Sequence, residues 1–267
     1  MPLSVAALLP HSPLLIPEIG QANYKFLAKS AAAYERIAAK LQAAEIETII
    51  VLSPHAGGSH DSFLLNVAPE MAVDLKDFGF IPSKTAWPGD ARLADQITAA
   101  LRPDFSVQLV SESVLDNGSA VPLYLLRQSL PQAKALVISP GEALDLPDQL
   151  AFGQKLQTAL AESGKRLAVI ASGDLSHRLK KKSPGGYSPK GAKFDNKLIE
   201  YLSEPATAAD NILKMDPKFV SEALECGLKP LLILLGILPA AAWQPAILAY
   251  QTDFGVGYLS VDFQLPS

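Results

Sequence analysis

Short runs of β-branched and aliphatic residues alternate along the chain with longer stretches of amphipathic period. Ser4–Leu9 reads as a first strand, ended by Pro10. From Ala22 to Ala44, the residues Phe26, Leu27, Ala31, Tyr34, Ile37, Ala38 and Leu41 recur at the spacing of one helical face. Thr48–Leu52 (TIIVL) and Arg166–Ala171 (RLAVIA) are apolar without alternation, which suits strands covered on both faces. Ser62–Val67, Ser106–Val110, Ala135–Ile138, Ala246–Tyr250 and Gly257–Phe263 read as further strands. Helical patterns cover Asp90–Leu101, Val121–Leu130, Leu146–Ser163, Asn196–Ser203, Asp210–Met215 and the neighbourhood of Lys218–Glu225. Leu228–Leu238 is an apolar helix with Pro230 in its first turn, where proline is tolerated.

This alternation predicts an α/β fold, a single three-layer domain over residues 1–267 with a mostly parallel or mixed central sheet flanked by helices. There is no internal repeat and no Gly/Ser- or Pro-rich linker. Ser183–Gly191 (SPGGYSPKG) holds three glycines and two prolines, reads as loop, and is a candidate lid.

Composition narrows the class. Of 267 residues, 49% are hydrophobic and 19% charged, enough apolar surface for a large core and no sign of disorder. A net charge of -4 argues against a nucleic-acid partner, and the only basic cluster is Arg178 with Lys180, Lys181 and Lys182. That run reads as a solvated loop. One cysteine, Cys226, rules out an internal disulfide. The stretch Pro230–Trp243 is too short to span a bilayer, and the N-terminus lacks the charged region of a signal peptide. The expectation is a cytoplasmic protein with no membrane partner.

The chemistry lies in the histidines. Three of the four follow strands directly: His11 after VAALLP, His55 after TIIVLSP, and His177 after RLAVIASGDLS. In open α/β sheets, functional groups gather where loops leave the carboxyl ends of strands. Two imidazoles with one carboxylate on one face leave positions open on an octahedral iron. Candidate carboxylates are Glu18, Asp61, Asp116, Asp174 and Glu225. Glu225 precedes an almost wholly apolar helix, where a carboxylate is costly to bury unless paired or metal-bound.

These residues sit in motifs that resemble the class III extradiol ring-cleavage dioxygenase B-subunit superfamily, with its Memo-like relatives. The carriers are LLPHSPLLIPEIG, VLSPHAGG, LDNGSAVPLYLL, ASGDLSHRL, GYSPKGAKFDNKLIEYL and ECGLKPLLILLG, in this order over nearly the whole chain. The resemblance implies that His11, His55 and Glu225 hold Fe(II), with zinc as the other candidate ion. It also implies that His177 is the acid/base of ring cleavage, with Asp174 in the same turn. A small catechol-type aromatic substrate and O2 would be the partners, with a homo-oligomer or a small accessory subunit as further candidates.

Two departures from the dioxygenase pattern stand out. Asn117 replaces a histidine beside the substrate, and amide groups hydrogen-bond but do not transfer protons. Cys226-Gly227 resembles the Memo-like CG turn, so either Glu225 or Cys226 can face the metal, and a thiolate favours zinc or copper over iron. The alternative function is therefore a Memo-like metal- or partner-binding protein, with a zinc hydrolase ranked last. Bland readings are preferred for His60 (exposed loop), Tyr187 (surface plug), and Trp87 and Trp243 (core or oligomer contact). Gly57-Gly58 lacks the context of a phosphate cradle.

Overall fold

The computed structural model describes residues 3–55, 61–81, 85–239 and 242–266. Gly57, Gly58 and His60 lie outside the described residues. The strands in chain order are β1 (Leu3–Leu9), β2 (Thr48–Leu52), β3 (Phe63–Asn66), β4 (Glu70–Ala72), β5 (Ala86–Pro88), β6 (Val107–Val110), β7 (Lys134–Ser139), β8 (Leu167–Ser172), β9 (Gln244–Gln251) and β10 (Tyr258–Gln264). Eight of them form one sheet in the order β6-β3-β7-β2-β8-β1-β10-β9. Its centre, β7-β2-β8-β1, is parallel, while β3 and β10 join that centre antiparallel. β4 and β5 pair with each other in a separate hairpin.

The helices are α1 (Pro17–Gly20), α2 (Ala28–Ala43), α3 (Ala91–Leu101), α4 (Asn117–Leu126), α5 (Leu146–Ala161), α6 (Pro189–Leu202), α7 (Ala208–Leu213), α8 (Pro217–Ala223) and α9 (Leu228–Ile237). Alternate strand side chains enter opposite layers, as the two-residue period of a strand requires. Leu8, Ile50, Leu136 and Val169 pack with Ile97 of α3, Phe152 of α5, Leu198 of α6 and Ile233 of α9. Ala7, Ile49, Val137 and Ile170 pack on the other face with Ile37 of α2 and Leu123 of α4. The three-layer α/β expectation is borne out. No described helix is long and apolar enough to cross a membrane.

Register decides where the chemistry goes. Leu9 of β1 lies beside Ser172 of β8, and Leu52 of β2 lies beside Ala171 of β8. Three parallel strands therefore end in one rank, and the residues just beyond them emerge at one rim. The opposite, amino-end rim is closed by charges paired in place. The buried Asp90 carboxylate accepts from Thr48 Oγ1 at 2.7 Å and from the Lys165 ammonium, and its other oxygen accepts from Leu93 N at the start of α3.

Several boundaries differ from the sequence reading. The helix expected from Ala22 opens as a 3-10 segment, Gln21–Leu27, before α2 begins. α4 starts at Asn117 rather than Val121, because the Asp116 side chain accepts from Ser119 N and caps it. α6 starts at Pro189, inside the stretch read as loop, with the Ser188 side chain as cap and proline in the first turn. The β4–β5 hairpin went unread because each strand is three residues long. Its Trp87 is fully buried and donates Nε1–H to the Leu123 carbonyl at 3.2 Å.

Candidate metal centre

His11 and His55 follow the ranked ends of β1 and β2, and their Nε2 atoms stand 3.2 Å apart with the rings edge to face. The third donor atom near them is Cys226 Sγ, 3.7 Å from His11 Nε2. The three donor atoms lie within 4.8 Å of one another. A single ion at about 2.0–2.1 Å from each nitrogen and about 2.3 Å from a thiolate sulfur would separate N from N by roughly 3.2 Å, and S from N by roughly 3.6 Å, in a near-tetrahedral arrangement. The two spacings about His11, 3.2 Å to His55 and 3.7 Å to Cys226, match those values, and the remaining pair lies within 4.8 Å, so the residues fit a shared ion.

The tautomer of His11 follows from its neighbours. Ser172 Oγ donates its one proton to the Gly118 carbonyl, so toward His11 Nδ1, 3.1 Å away, it can only accept. Nδ1 therefore carries the ring proton and Nε2 presents a bare lone pair, the form a metal needs. The Gly118 carbonyl is available because Pro122 lies four residues on in α4 and has no N–H to close the helical bond. Burial, then the neighbouring His55, pushes the His11 pKa down to about 3, so the ring is neutral at physiological pH. Tyr34 on α2 donates to the Pro10 carbonyl at 2.7 Å and fixes the turn from behind. His55 is exposed, and its amide approaches Ser53 Oγ at 3.4 Å.

Asp174 arrives in the turn after β8. One carboxylate oxygen accepts from His11 N at 3.2 Å, and the other lies 4.0 Å from His11 Nε2. Burial pushes its pKa up. The Asp174 carbonyl accepts from the amides of Cys226 and Gly227, which brings the Gly173-Asp174 turn against the Cys226-Gly227 turn. A Cβ on Gly173 would lie 2.2 Å from Gly227 Cα, so this approach requires glycine. Burial, and next the negative Asp174, raises the Cys226 thiol well above its ordinary value. The thiol therefore keeps its proton until a cation replaces it.

Glu225, expected from the resemblance as the third ligand, is directed elsewhere. Its carboxylate accepts from Leu228 N at 2.6 Å, at the start of α9. Burial lifts its pKa to about 7, against the amides of Leu228 and Gly227 and the Lys229 charge, which favour the ionised form. The first amides of a helix are natural partners for a carboxylate, and only one of two adjacent side chains can point to the histidines.

His177 is half-buried, and its Nδ1 lies 2.7 Å from the Leu224 carbonyl. It stands three residues after Asp174 in the loop that follows β8. Asn117 opens α4 half-exposed, with no side-chain hydrogen-bond partner among the described residues. Tyr187 is 56% exposed on the loop between β8 and α6. Sequence reading missed Ser172. Its signal was a polar residue closing an otherwise apolar strand, in the rank just before the metal-rim turns.

The chain is similar to known proteins over most of its length. The family described as the catalytic LigB subunit of aromatic ring-opening dioxygenase matches residues 5–260. Protein CA_C1420 of Clostridium acetobutylicum is 30% identical over 268 residues, covering 97% of this chain and 57% of that protein. A 2,3-dihydroxyphenylpropionate/2,3-dihydroxicinnamic acid 1,2-dioxygenase of Paraburkholderia xenovorans is 29% identical over 141 residues, 49% of this chain and 43% of that enzyme. The chain thus spans less than two thirds of the length of either relative. The crystal structure of protein JW3007 from Escherichia coli K12 superposes with a TM-score of 0.67 at 17% identity, covering 97% of this chain and 99% of that one. That likeness is one of fold.

Proposed function

The chain belongs to the family of the catalytic LigB subunit of aromatic ring-opening dioxygenases, and from that premise we propose that it is a metal-dependent protein whose ion is held by His11, His55 and Cys226. This is a Memo-like centre that selects zinc or copper and receives a small phenolic ligand. The observation that carries the reading is the third donor: Cys226 Sγ, not the Glu225 carboxylate, joins the two imidazole nitrogens. Soft thiolate with imidazole suits zinc and copper, whereas two histidines and a carboxylate are the donor set of oxygen-activating iron.

The bound ion would supply Lewis-acid polarisation of a ligand oxygen, and copper would add one-electron chemistry. The remaining work falls to the chain. Ser172 holds His11 Nε2 bare for the ion. Cys226 gives up its proton on binding. His177 holds or accepts a proton at Nε2, its Nδ1 being engaged. Asn117 offers hydrogen bonds to a phenolic oxygen but no titratable proton.

A second reading is an Fe(II) extradiol dioxygenase that opens a catechol-type ring with O2. The kinship to the Paraburkholderia dioxygenase and the position of His177 favour it. It would require Glu225 to leave the α9 amides and turn to the histidines.

Metal analysis of anaerobically purified protein, paired with O2 uptake on a panel of catechols, separates the two. We expect zinc or copper near one per chain, lost in Cys226→Ser and kept in Glu225→Ala, with no ring-opened product. Iron near one per chain, lost in Glu225→Ala and accompanied by O2 uptake, would replace the first reading with the second.

A further inference from the structure

α8 ends at Leu224 in the left-handed conformation, with φ 55° and ψ 52°. In that region the Cβ of an L-residue crowds the following carbonyl, which is why glycine usually occupies such helix ends. Leu224 also leaves its apolar side chain 51% exposed, so packing gives little return for the strain. What the conformation accomplishes is the aim of two carbonyls. That of Ala223 accepts from Ser176 Oγ at 2.8 Å and from His177 N at 3.2 Å. That of Leu224 lies 3.3 Å from His177 N and 2.7 Å from His177 Nδ1.

Closing a helix end requires only backbone amides or water at the last carbonyls. The short contact to a ring nitrogen is an addition to that closure. A carbonyl only accepts, so His177 Nδ1 carries the ring proton, and the neutral imidazole has Nε2 bare. The His177 main chain is held as well, since Gly185 N donates to its carbonyl at 3.0 Å.

We propose that Leu224 is a positioning residue whose left-handed carbonyl locks His177 in the Nδ1–H tautomer, reserving Nε2 as the proton acceptor of the metal-site pocket. The proposal rests on the reading of His177 as the group that exchanges a proton with the bound ligand. Because Cys226 follows Leu224 by two residues, one short segment carries both the thiol donor and the carbonyl that sets the His177 tautomer.

The test is nitrogen-15 NMR of imidazole-labelled, metal-free protein at alkaline pH. The chain has four histidines, and a His177→Gln sample assigns the signal. In the wild type, His177 should show a protonated Nδ1 and a bare Nε2. Leu224→Gly, which adopts the left-handed region freely, should keep that spectrum with an equal or higher Tm. Leu224→Ile, whose branched Cβ resists the region, should shift His177 toward the Nε2–H form. A wild-type spectrum with Nε2 protonated, or an unchanged tautomer in a folded Leu224→Ile, would overturn the proposal. If Leu224→Ile does not fold, the wild-type and Leu224→Gly spectra decide alone. Activity enters no arm, so failure of this proposal, read in the tautomer of the metal-free protein, is distinguishable from failure of the metal-centre reading, read in metal analysis.

Discussion

The two rims of the central sheet handle buried charge in opposite ways. At the amino rim, burial pushes the Asp90 carboxyl up, but hydrogen bonds from Lys165, Thr48 and Leu93 N outweigh it and hold it below its ordinary value. At the carboxyl rim, His11 is held neutral, the Cys226 thiol is held protonated, and Asp174, Glu225 and Asp195 are all pushed up by burial. The first rim satisfies its charge with a counter-ion in the chain. The second gathers donors and acids in which burial outweighs whatever opposes it, the pattern expected where a cation or ligand is to bind. The difference teaches which rim serves stability and which serves function.

The sharpest way to break this comparison is at Asp90. Asp90→Ala leaves the Lys165 ammonium without its buried partner and should destabilise the fold by about 3–5 kcal/mol, the usual consequence of halving a buried ion pair. Metal stoichiometry should stay unchanged. Denaturant unfolding with metal analysis on the same samples checks both. An equally large loss of metal would erase the division between the rims.

Next in size is a pH effect of opposite sign at the two rims. Asp195 on α6 accepts from Ser176 N at 2.9 Å and from Tyr250 Oη at 2.8 Å, yet burial raises its pKa to about 6. A carboxyl raised in the fold contributes stability that is fully present below its unfolded value, near 3.9, and is lost as pH rises through 6. The stability of wild type minus that of Asp195→Asn should therefore fall by about 2 kcal/mol between pH 4 and pH 7. Asp90, with a lowered pKa, runs the other way: its contribution is present above the unfolded value and lost as pH falls further. Taking the difference between variant and wild type removes the opposing effect of neutral His11. A flat difference across that range would remove Asp195 from the strained rim.

The smallest effect expected is at Ser172. Ser172→Ala should lower metal affinity about 10–100-fold by freeing the His11 tautomer, as loss of a group that orients a ligand does. Competition with a chelator of known affinity measures this. An unchanged Kd would mean that the Gly118–Ser172–His11 chain orients nothing.

Much of this was legible in one dimension. The unalternating runs TIIVL and RLAVIA required a sheet covered on both faces, and strand–helix alternation required parallel crossovers, because both follow from local periodicity. Placement of His11, His55 and Asp174 just beyond β1, β2 and β8 follows from the same strands once they are parallel. The family likeness lay in motifs ordered along nearly the whole chain. The caps at Asp116 and Ser188 start α4 and α6 ahead of the apolar periodicity, which shows only from Val121 and Asn196.

Tertiary structure alone decided the rest. Whether Glu225 or Cys226 meets the histidines depends on how α9 docks, and α9 is docked where Gly153 and Gly236 let it approach α5 closely. That docking directs one side chain of the adjacent pair to the helix amides and the other to the histidines. The proton on His11 Nδ1 is set by a serine on β8 and a carbonyl in α4, residues 161 and 107 positions away in sequence. The sequence determined which groups reach the rim, because strand ends are local. It did not determine which atoms face one another there, because that is settled by packing between elements far apart in the chain.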